Sequence, residues 1–189
     1  MNIILLIPLL LSFLTGLFLV PFWIRKAKEI GLVWEDMNKP EHPKNVAGSG
    51  GVGVFLPFIL GTLTYIAIKT FYFKSEDNLI EIFASLSVVL IIAFIGILDD
   101  LLGWKKGGLT KRSRLILLLF ASIPLIVINA GESTVMDMNL GLLYPLIIIP
   151  LGVIGASATF NFLAGYNGLE TSQGIIILSS MALVTFSMG

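Results

Sequence analysis

Residues 82–100 read IFASLSVVLIIAFIGILDD, an apolar run that ends in two adjacent carboxylates, Asp99 and Asp100. The run is long enough to cross the hydrocarbon core of a bilayer, which takes about 17–25 residues. The C-terminal end of a helix carries partial negative charge, so each acid there costs about 0.3–1 kcal/mol. We therefore expect a metal ion, a basic side chain or both to offset the two acids. The pattern predicts a site at the membrane–water boundary.

The whole chain has the composition of an integral membrane protein. Of its 189 residues, 56% are hydrophobic and only 13% are charged, whereas soluble domains carry about 25% charged residues. The formal net charge is zero, which gives no indication of a nucleic-acid partner. Cysteine is absent, which excludes thiolate metal sites and disulfides. We expect a single membrane domain over residues 1–189.

Six apolar stretches approach the length of a membrane span. They predict an all-α, polytopic bundle with about six transmembrane helices. The first stretch lacks a preceding basic region and a small-residue cleavage motif, so we expect a retained span and not a signal peptide. The stretches are Ile3–Ile24, Val52–Phe73, Ile82–Leu98, Leu115–Ala130, Leu142–Phe162 and Ile175–Gly189.

The basic residues predict the orientation of this multi-pass protein. Ten of the twelve Lys and Arg residues fall in two loops, 25–51 and 99–114, and cytoplasmic loops carry such an excess. The N-terminus is therefore expected outside, and alternation puts the loop 163–174 in the cytoplasm as well. Because these three loops hold most of the unusual polar residues, we expect the functional face to be cytoplasmic.

The acid pair has two interpretations. Asp99 and Asp100 could be solvated acids neutralised by Lys105 and Lys106, but acids near helix ends normally lie at N-termini. The functional interpretation is a carboxylate pair that binds a divalent cation or takes a proton. Mg²⁺ prefers oxygen ligands and is typically held by one or two carboxylates together with substrate phosphates.

A second polar cluster follows the fifth apolar stretch. Asn161 lies at the end of that stretch, where an amide costs free energy unless it is hydrogen-bonded. Asn167 alone would fit an ordinary turn, because Asn-Gly is a strong turn signal. Asn161, Asn167 and Glu170 together, on the same predicted face as the acid pair, favour a functional site.

A basic cluster begins the fourth stretch. Anchoring at the cytoplasmic surface is sufficient to explain Lys111. Arg114 is the deepest cation, directly before Leu115, and its planar guanidinium suits phosphate oxygens better than an ammonium group does. We therefore expect Arg114 to bind phosphate.

The segment Gly48–Gly53 matches the dinucleotide-binding pattern GxGxxG. That function requires a preceding strand within a βαβ unit, whereas here a polar loop precedes and an apolar span follows. Close packing of helices through small residues, or a loop that covers a site, explains the glycines better.

Taken together, these residues resemble the polyprenyl-phosphate N-acetylhexosamine-1-phosphate transferase family. The chain is most similar to its dolichyl-phosphate N-acetylglucosaminephosphotransferase branch and less similar to phospho-MurNAc-pentapeptide translocases. The resemblance runs along essentially the whole chain but covers only about the N-terminal half of the family's fold. It rests on Glu35-Asp-Met-Asn-Lys39, Ile97-Leu-Asp-Asp100, Leu109-Thr-Lys-Arg-Ser-Arg114 and Asn161-Phe-Leu-Ala-Gly-Tyr-Asn-Gly-Leu-Glu170.

The resemblance implies a Mg²⁺-dependent phosphosugar transferase. UDP-GlcNAc would donate GlcNAc 1-phosphate to a polyprenyl, dolichyl-type phosphate at the cytoplasmic membrane face, with release of UMP. This is the first step of lipid-linked glycan assembly for protein glycosylation. A phospho-MurNAc-pentapeptide translocase-like transferase is the alternative enzyme, and a non-catalytic membrane fragment or a piece of an ion transporter is the alternative of another class.

The resemblance also assigns roles to individual residues. Asp99 and Asp100 match the catalytic acid pair, and Asn161 matches a magnesium ligand. Arg114 falls where the family has a basic residue near the phosphates, and we assign it to the lipid phosphate. The nucleotide-binding residues would be Glu35, Asp36, Met37 and Asn167.

The family's later cytoplasmic aspartate and its histidine-containing loop have no counterpart in residues 1–189. The chain is therefore expected to be the N-terminal portion of a larger transferase fold, completed by a C-terminal half or within a homodimer. We expect the chain by itself to release little UMP from UDP-GlcNAc.

Overall fold

A computed structural model describes residues 3–36, 39, 41–135, 138–162 and 168–188. Within these residues, four helical segments are long and apolar enough to span a bilayer: Ile3–Glu29, Gly51–Tyr72, Leu79–Gly103 and Leu169–Ser187. The predicted helical bundle of membrane type is confirmed. The chain is an integral membrane protein.

The α-helices follow one another along the chain. They are α1 (Leu6–Glu29), α2 (Gly51–Ala67), α3 (Leu79–Lys106), α4 (Lys111–Ala121), α5 (Ile123–Ile128), α6 (Ile149–Phe162) and α7 (Leu169–Met188). The longest connections, 30–50 and 129–148, separate α1 from α2 and α5 from α6. A 3₁₀ turn, Ile3–Leu5, precedes α1, and π-helical turns occupy Ile68–Tyr72 and Tyr144–Ile148.

Two of the predicted spans are interrupted helices. The fourth is divided into α4 and α5 at Ser122, whose hydroxyl donates to the carbonyl of Leu119 at 2.6 Å. Pro124 lies in the first turn of α5, where its missing N–H costs little. The fifth begins as the π-helical turn Tyr144–Ile148 and continues into α6. Pro150 near the start of α6 has no N–H for a regular helical bond.

Short β-hairpins occupy two of the predicted loops. Strands β1 (Val33–Glu35) and β2 (Lys44–Ala47) pair antiparallel between α1 and α2, with Val33 opposite Ala47. A smaller pair, β3 (Thr134–Val135) and β4 (Met138–Asn139), lies between α5 and α6. The sequence prediction included no strands, because these segments are too short to show an alternating pattern.

Small residues bring α1 and α2 into close antiparallel contact. Gly53, Pro57 and Gly61 are buried on α2 at intervals of four residues, which places them on one face. A Cβ atom at Gly53 would lie 3.1 Å from Val20 Cγ2, and one at Gly61 would lie 2.8 Å from Ser12 Cβ. Within the 48–53 segment, Gly53 therefore permits close helix packing, whereas a Cβ atom at Gly50 or Gly51 would meet nothing within 4 Å.

The helices α3, α4 and α6 share a small apolar core. Ile95 of α3 packs with Leu118 and Ala121 of α4, and Ile154 of α6 lies against them. Ile95 precedes Asp99 by one helical turn, so this core fixes the relative positions of α3 and α4 next to the acid pair.

The helix α3 does not end at the acid pair. The sequence predicted an end near Leu98, but α3 continues to Lys106 and stops at Gly107, which has a φ of 86°. The acids therefore lie about two turns inside the helix. The extension contains Leu101 and Leu102, which favour helix, and the left-handed Gly107 is a common helix terminator.

We predict that Gly61→Val destabilises the pairing of α1 and α2. Its side chain would overlap Ser12 and the Pro8 carbonyl, and overpacking of this kind costs about 1–3 kcal/mol. The free energy of unfolding in mixed micelles measures the loss. Gly152→Val on α6 is the control, because a Cβ atom there meets nothing within 4 Å. Equal free energies of unfolding for the two variants would contradict the close packing of α1 against α2 at Gly61.

Candidate functional site

Both carboxylate oxygens of Asp99 accept hydrogen bonds. Oδ1 accepts a hydrogen bond from the Leu109 backbone N–H at 2.7 Å. Oδ2 accepts from the guanidinium of Arg114, with which it forms a salt bridge. The Asp99 side chain is 20% exposed and that of Arg114 35%. One carboxylate thus connects α3 to the start of α4.

The connection between α3 and α4 depends on a glycine. Gly108 has a φ of 75°, and a Cβ atom there would lie 3.0 Å from Asp99 Oδ1. Only glycine adopts this conformation without strain and leaves room for the carboxylate. The close approach lets the next residue, Leu109, donate its N–H to Asp99.

The first turn of α4 carries an unfavourable set of charges. Lys111, Arg112 and Arg114 lie at the positive end of the helix, where cations are destabilising. Thr110 caps this helix by accepting from the Ser113 N–H at 3.2 Å. Asp99 supplies the nearby negative charge that the first turn lacks.

Asp100 is placed differently from its neighbour. Asp100 is exposed, and among the described residues its carboxylate accepts no well-aligned hydrogen bond. It lies close enough to the Ser49 hydroxyl and to the charges of Asp99 and Arg114 to interact with them electrostatically. The two acids therefore differ: Asp99 is committed to structure, and Asp100 is open.

A cavity of about 720 Å³ contains both acids in its wall. Its polar and charged side chains are those of Ser49, Asp99, Asp100, Lys111, Arg114 and Ser157. The rest is mostly apolar and comes from four helices: α2, α3, α4 and α6. The apolar lining includes Val52, Phe55, Ile92, Ile95 and Leu118. The cavity can therefore accept a ligand with a charged head and an apolar body.

Two tryptophans fix the turn that precedes α2. Trp23 of α1 donates from Nε1 to the Gly48 carbonyl at 3.2 Å. The Trp34 ring of β1 fills the space where Gly48 would carry a side chain, since a Cβ atom there would lie 2.4 Å from Trp34 Nε1. The far edge of the same ring reaches Gly103 on α3, one turn beyond the acid pair. The hairpin is thus attached next to the site.

The structure brings three predicted site residues together: Asp99, Asp100 and Arg114. Glu35 lies in β1, and Asp36 follows it, with its N–H donating to the Pro43 carbonyl at 3.0 Å. Among the described residues, neither contributes to the cavity wall.

The remaining predicted residues are only partly described. Asn161 is in the last turn of α6, four residues after the cavity-lining Ser157, but its side chain lies outside the described structure. Met37 and Asn167 fall outside the described residues. Their predicted roles stay predictions.

Sequence reasoning missed three contributors to the site. Lys111, interpreted only as a surface anchor, lines the cavity. Ser49 lines it as well, and the unusual segment Gly48–Gly53 was the available signal. Trp34 gave no signal, because its role depends on the distant Gly48 and Gly103.

The donor chemistry is compatible with magnesium. The described residues contain no group of three or more His, Cys, Asp or Glu side chains that could hold a metal by themselves. Mg²⁺ does not need such a group, since one or two protein oxygens, substrate phosphates and waters suffice. A cavity that has carboxylates in its wall and room for phosphate is a favourable place for a cation held in that mode.

The chain is similar in sequence to known transferases. The profile of Glycosyl transferase family 4 matches residues 82–189. A Saccharolobus solfataricus protein with the provisional name UDP-N-acetylglucosamine–dolichyl-phosphate N-acetylglucosaminephosphotransferase is 35% identical, over 95% of this chain and 53% of its own length. The Dictyostelium discoideum protein of that name is 29% identical, over 87% of this chain and 44% of its own length.

A second group of relatives is named for another donor. A phospho-N-acetylmuramoyl-pentapeptide-transferase of Streptococcus pyogenes is 28% identical, over 97% of this chain and 58% of its own length. The chain spans about half the length of the curated relatives it matches.

We predict that Gly48→Ala displaces the Trp34 ring and destabilises the protein by about 1–3 kcal/mol. Because the added methyl overlaps the ring, Trp34→Ala should relieve part of this cost. The free energy of unfolding of the double variant should then exceed the value expected from adding the two single effects by at least about 0.5 kcal/mol. Unfolding free energies of the four proteins test this. Strict additivity would show that the ring does not occupy the Gly48 position.

Proposed function

Because the chain belongs to Glycosyl transferase family 4, we propose that its cavity is the acceptor end of a phosphosugar transferase site. The reaction is transfer of GlcNAc 1-phosphate from UDP-GlcNAc to a polyprenyl, dolichyl-type phosphate, with release of UMP. The observation that carries the proposal is the composition of the cavity, with paired acids and cations at one part and apolar walls elsewhere. A lipid phosphate has the matching division into a charged head and an apolar tail.

The relatives favour UDP-GlcNAc over a MurNAc-pentapeptide donor. The 35% identical relative carries a GlcNAc-phosphotransferase name, and the muramoyl-pentapeptide transferases are 28% identical. An ion transporter would need charged residues near the middle of its spans, whereas the acid pair lies near one end of the span Leu79–Gly103. The distribution of Lys and Arg supports a cytoplasmic location of the site.

In the proposed reaction, an oxygen of the lipid phosphate forms a bond to the β-phosphorus of UDP-GlcNAc. The bond from that phosphorus to the oxygen bridging to the α-phosphorus breaks, and UMP leaves with the electron pair. Such a reaction needs mainly positioning and neutralisation of charge. Arg114 and Lys111 lie where they can hold the lipid phosphate at the cavity wall.

The two acids then have separate roles. Asp99 is a positioning residue, because both of its oxygens are used to hold Arg114 and the Leu109 backbone. Asp100 is the proposed base that takes the proton of the lipid phosphate, since its carboxylate is open to the cavity. Glu35, Asp36, Met37 and Asn167 are the proposed nucleotide-binding residues.

Magnesium completes the proposal. A bound Mg²⁺ would neutralise charge on the diphosphate, and Asn161 with the substrate phosphates would hold it. The residues 1–189 are proposed to act together with a further polypeptide segment or a second copy that supplies the rest of the site.

We predict that Asp100→Asn reduces transfer by about 10²–10⁴-fold, the usual contribution of a general base. The free energy of unfolding should stay near the wild-type value, because Asp100 is exposed and takes no part in the Asp99–Arg114 contact. The measurement is incorporation of labelled GlcNAc 1-phosphate into lipid by membranes that carry the complete native protein. Glu81→Gln, at the other end of α3, is the control. Wild-type transfer by Asp100→Asn would refute the assignment.

A further inference from the structure

We propose that the turn before α2 binds a phosphoryl group in the cavity, through the Ser49 hydroxyl and the backbone amides of residues 49–51. The identity of the phosphate carrier rests on the proposed function, whereas the anion site itself does not. No sequence motif assigned a ligand to Ser49.

The backbone of this turn has the conformation of an anion-binding nest. Ser49 has a positive φ of 52°, and Gly50 follows with a φ of −57° and a ψ of −24°. Alternation between left- and right-handed residues directs successive N–H groups toward one point, and such concavities bind phosphate and other anions.

The amides of the nest are available. Within the described residues, the N–H groups of Ser49, Gly50 and Gly51 donate no hydrogen bond, whereas those of Val52 and Gly53 donate to the Ser49 and Gly50 carbonyls. The three nest amides lie at the N-terminus of α2, a helix of 17 residues that begins at Gly51, and the helix dipole favours an anion at this end.

The Ser49 hydroxyl is an independent indication of a ligand. Ser49 is only 7% exposed, and its Oγ is buried without a hydrogen-bond partner in the described part of the chain. Buried polar groups in native proteins nearly always have a partner. Because Ser49 lines the cavity, a ligand there can supply the well-aligned acceptor that the neighbouring Asp100 does not provide.

The charges around the nest allow a phosphate to enter. Asp100 is the anion beside Ser49, but it accepts no well-aligned hydrogen bond from the described part of the turn. Lys111 and Arg114 also line the cavity and match the charges of Asp99 and Asp100. The ionisable lining is thus neutral, and the α2 N-terminus adds a positive field.

Two carriers offer the same phosphate chemistry: the diphosphate of a nucleotide sugar and the monophosphate of a polyprenol. Both would bring phosphate oxygens within the same cavity as Asp100 and Arg114. The experiment therefore separates them with probes that differ only in the presence of phosphate.

The test compares the wild-type chain with Ser49→Gly in lipid nanodiscs. Glycine keeps the amide and suits the positive φ, so this variant loses the hydroxymethyl side chain while the backbone of the nest is retained. Inorganic pyrophosphate is the first probe, and ³¹P NMR measures its binding. We expect its dissociation constant to rise about tenfold in Ser49→Gly, because hydrogen bonds to charged groups contribute strongly. Asn45→Gly, at another residue with positive φ, should bind pyrophosphate as the wild type does.

Two further pairs of probes identify the carrier. They are UDP-GlcNAc against uridine, and farnesyl phosphate against farnesol. The Ser49→Gly substitution should weaken the binding of only one probe, the phosphate-bearing member of one of the two pairs. Failure of the wild type to bind pyrophosphate, or equal binding by wild type and Ser49→Gly, would overturn the anion site. Ser49-dependent pyrophosphate binding without binding of either substrate-like phosphate would support the site and count against the proposed function.

Discussion

The double hydrogen bonding of Asp99 is the interaction on which the rest of the site depends. One oxygen holds the Leu109 backbone and the other holds Arg114, so a single side chain of α3 determines where α4 begins. The left-handed Gly108 makes this approach possible. Because Lys111 and Arg114 are both in the first turn of α4, their positions in the cavity wall follow from the same contact.

The contact between Asp99 and Arg114 offsets two charge placements that would each be unfavourable alone. Cations at the start of α4 oppose the helix dipole, and a carboxylate within an apolar helix requires a charged or hydrogen-bonding partner. Pairing Asp99 with Arg114 satisfies both. The pairing also separates the functions of neighbouring acids, since Asp99 is used for structure and Asp100 is left open for chemistry. A neutral lining of two acids and two bases can then admit a phosphate.

Much of this could be predicted from the sequence, for physical reasons. The apolar run before Asp99 and the skewed Lys and Arg distribution predict a membrane bundle with a site at one boundary. Arg114 was singled out because of its depth. The predicted end of α3 near Leu98 was wrong, because apolar residues continue after the acids and the helix stops only at Gly107. Ser49, Trp34 and the short hairpin could not be assigned, because their roles come from contacts between residues far apart in the chain.

A double-mutant cycle on Asp99 and Arg114 tests the central interaction most directly. The free energies of unfolding of wild type, Asp99→Asn, Arg114→Gln and the double variant would be measured in mixed micelles at low salt. The asparagine can still accept from Leu109, so the cycle isolates the charged contact. Direct contact between the two side chains predicts a coupling energy of at least about 0.5 kcal/mol that falls as salt is added. Additive effects, within about 0.3 kcal/mol, would show that Asp99 does not hold Arg114.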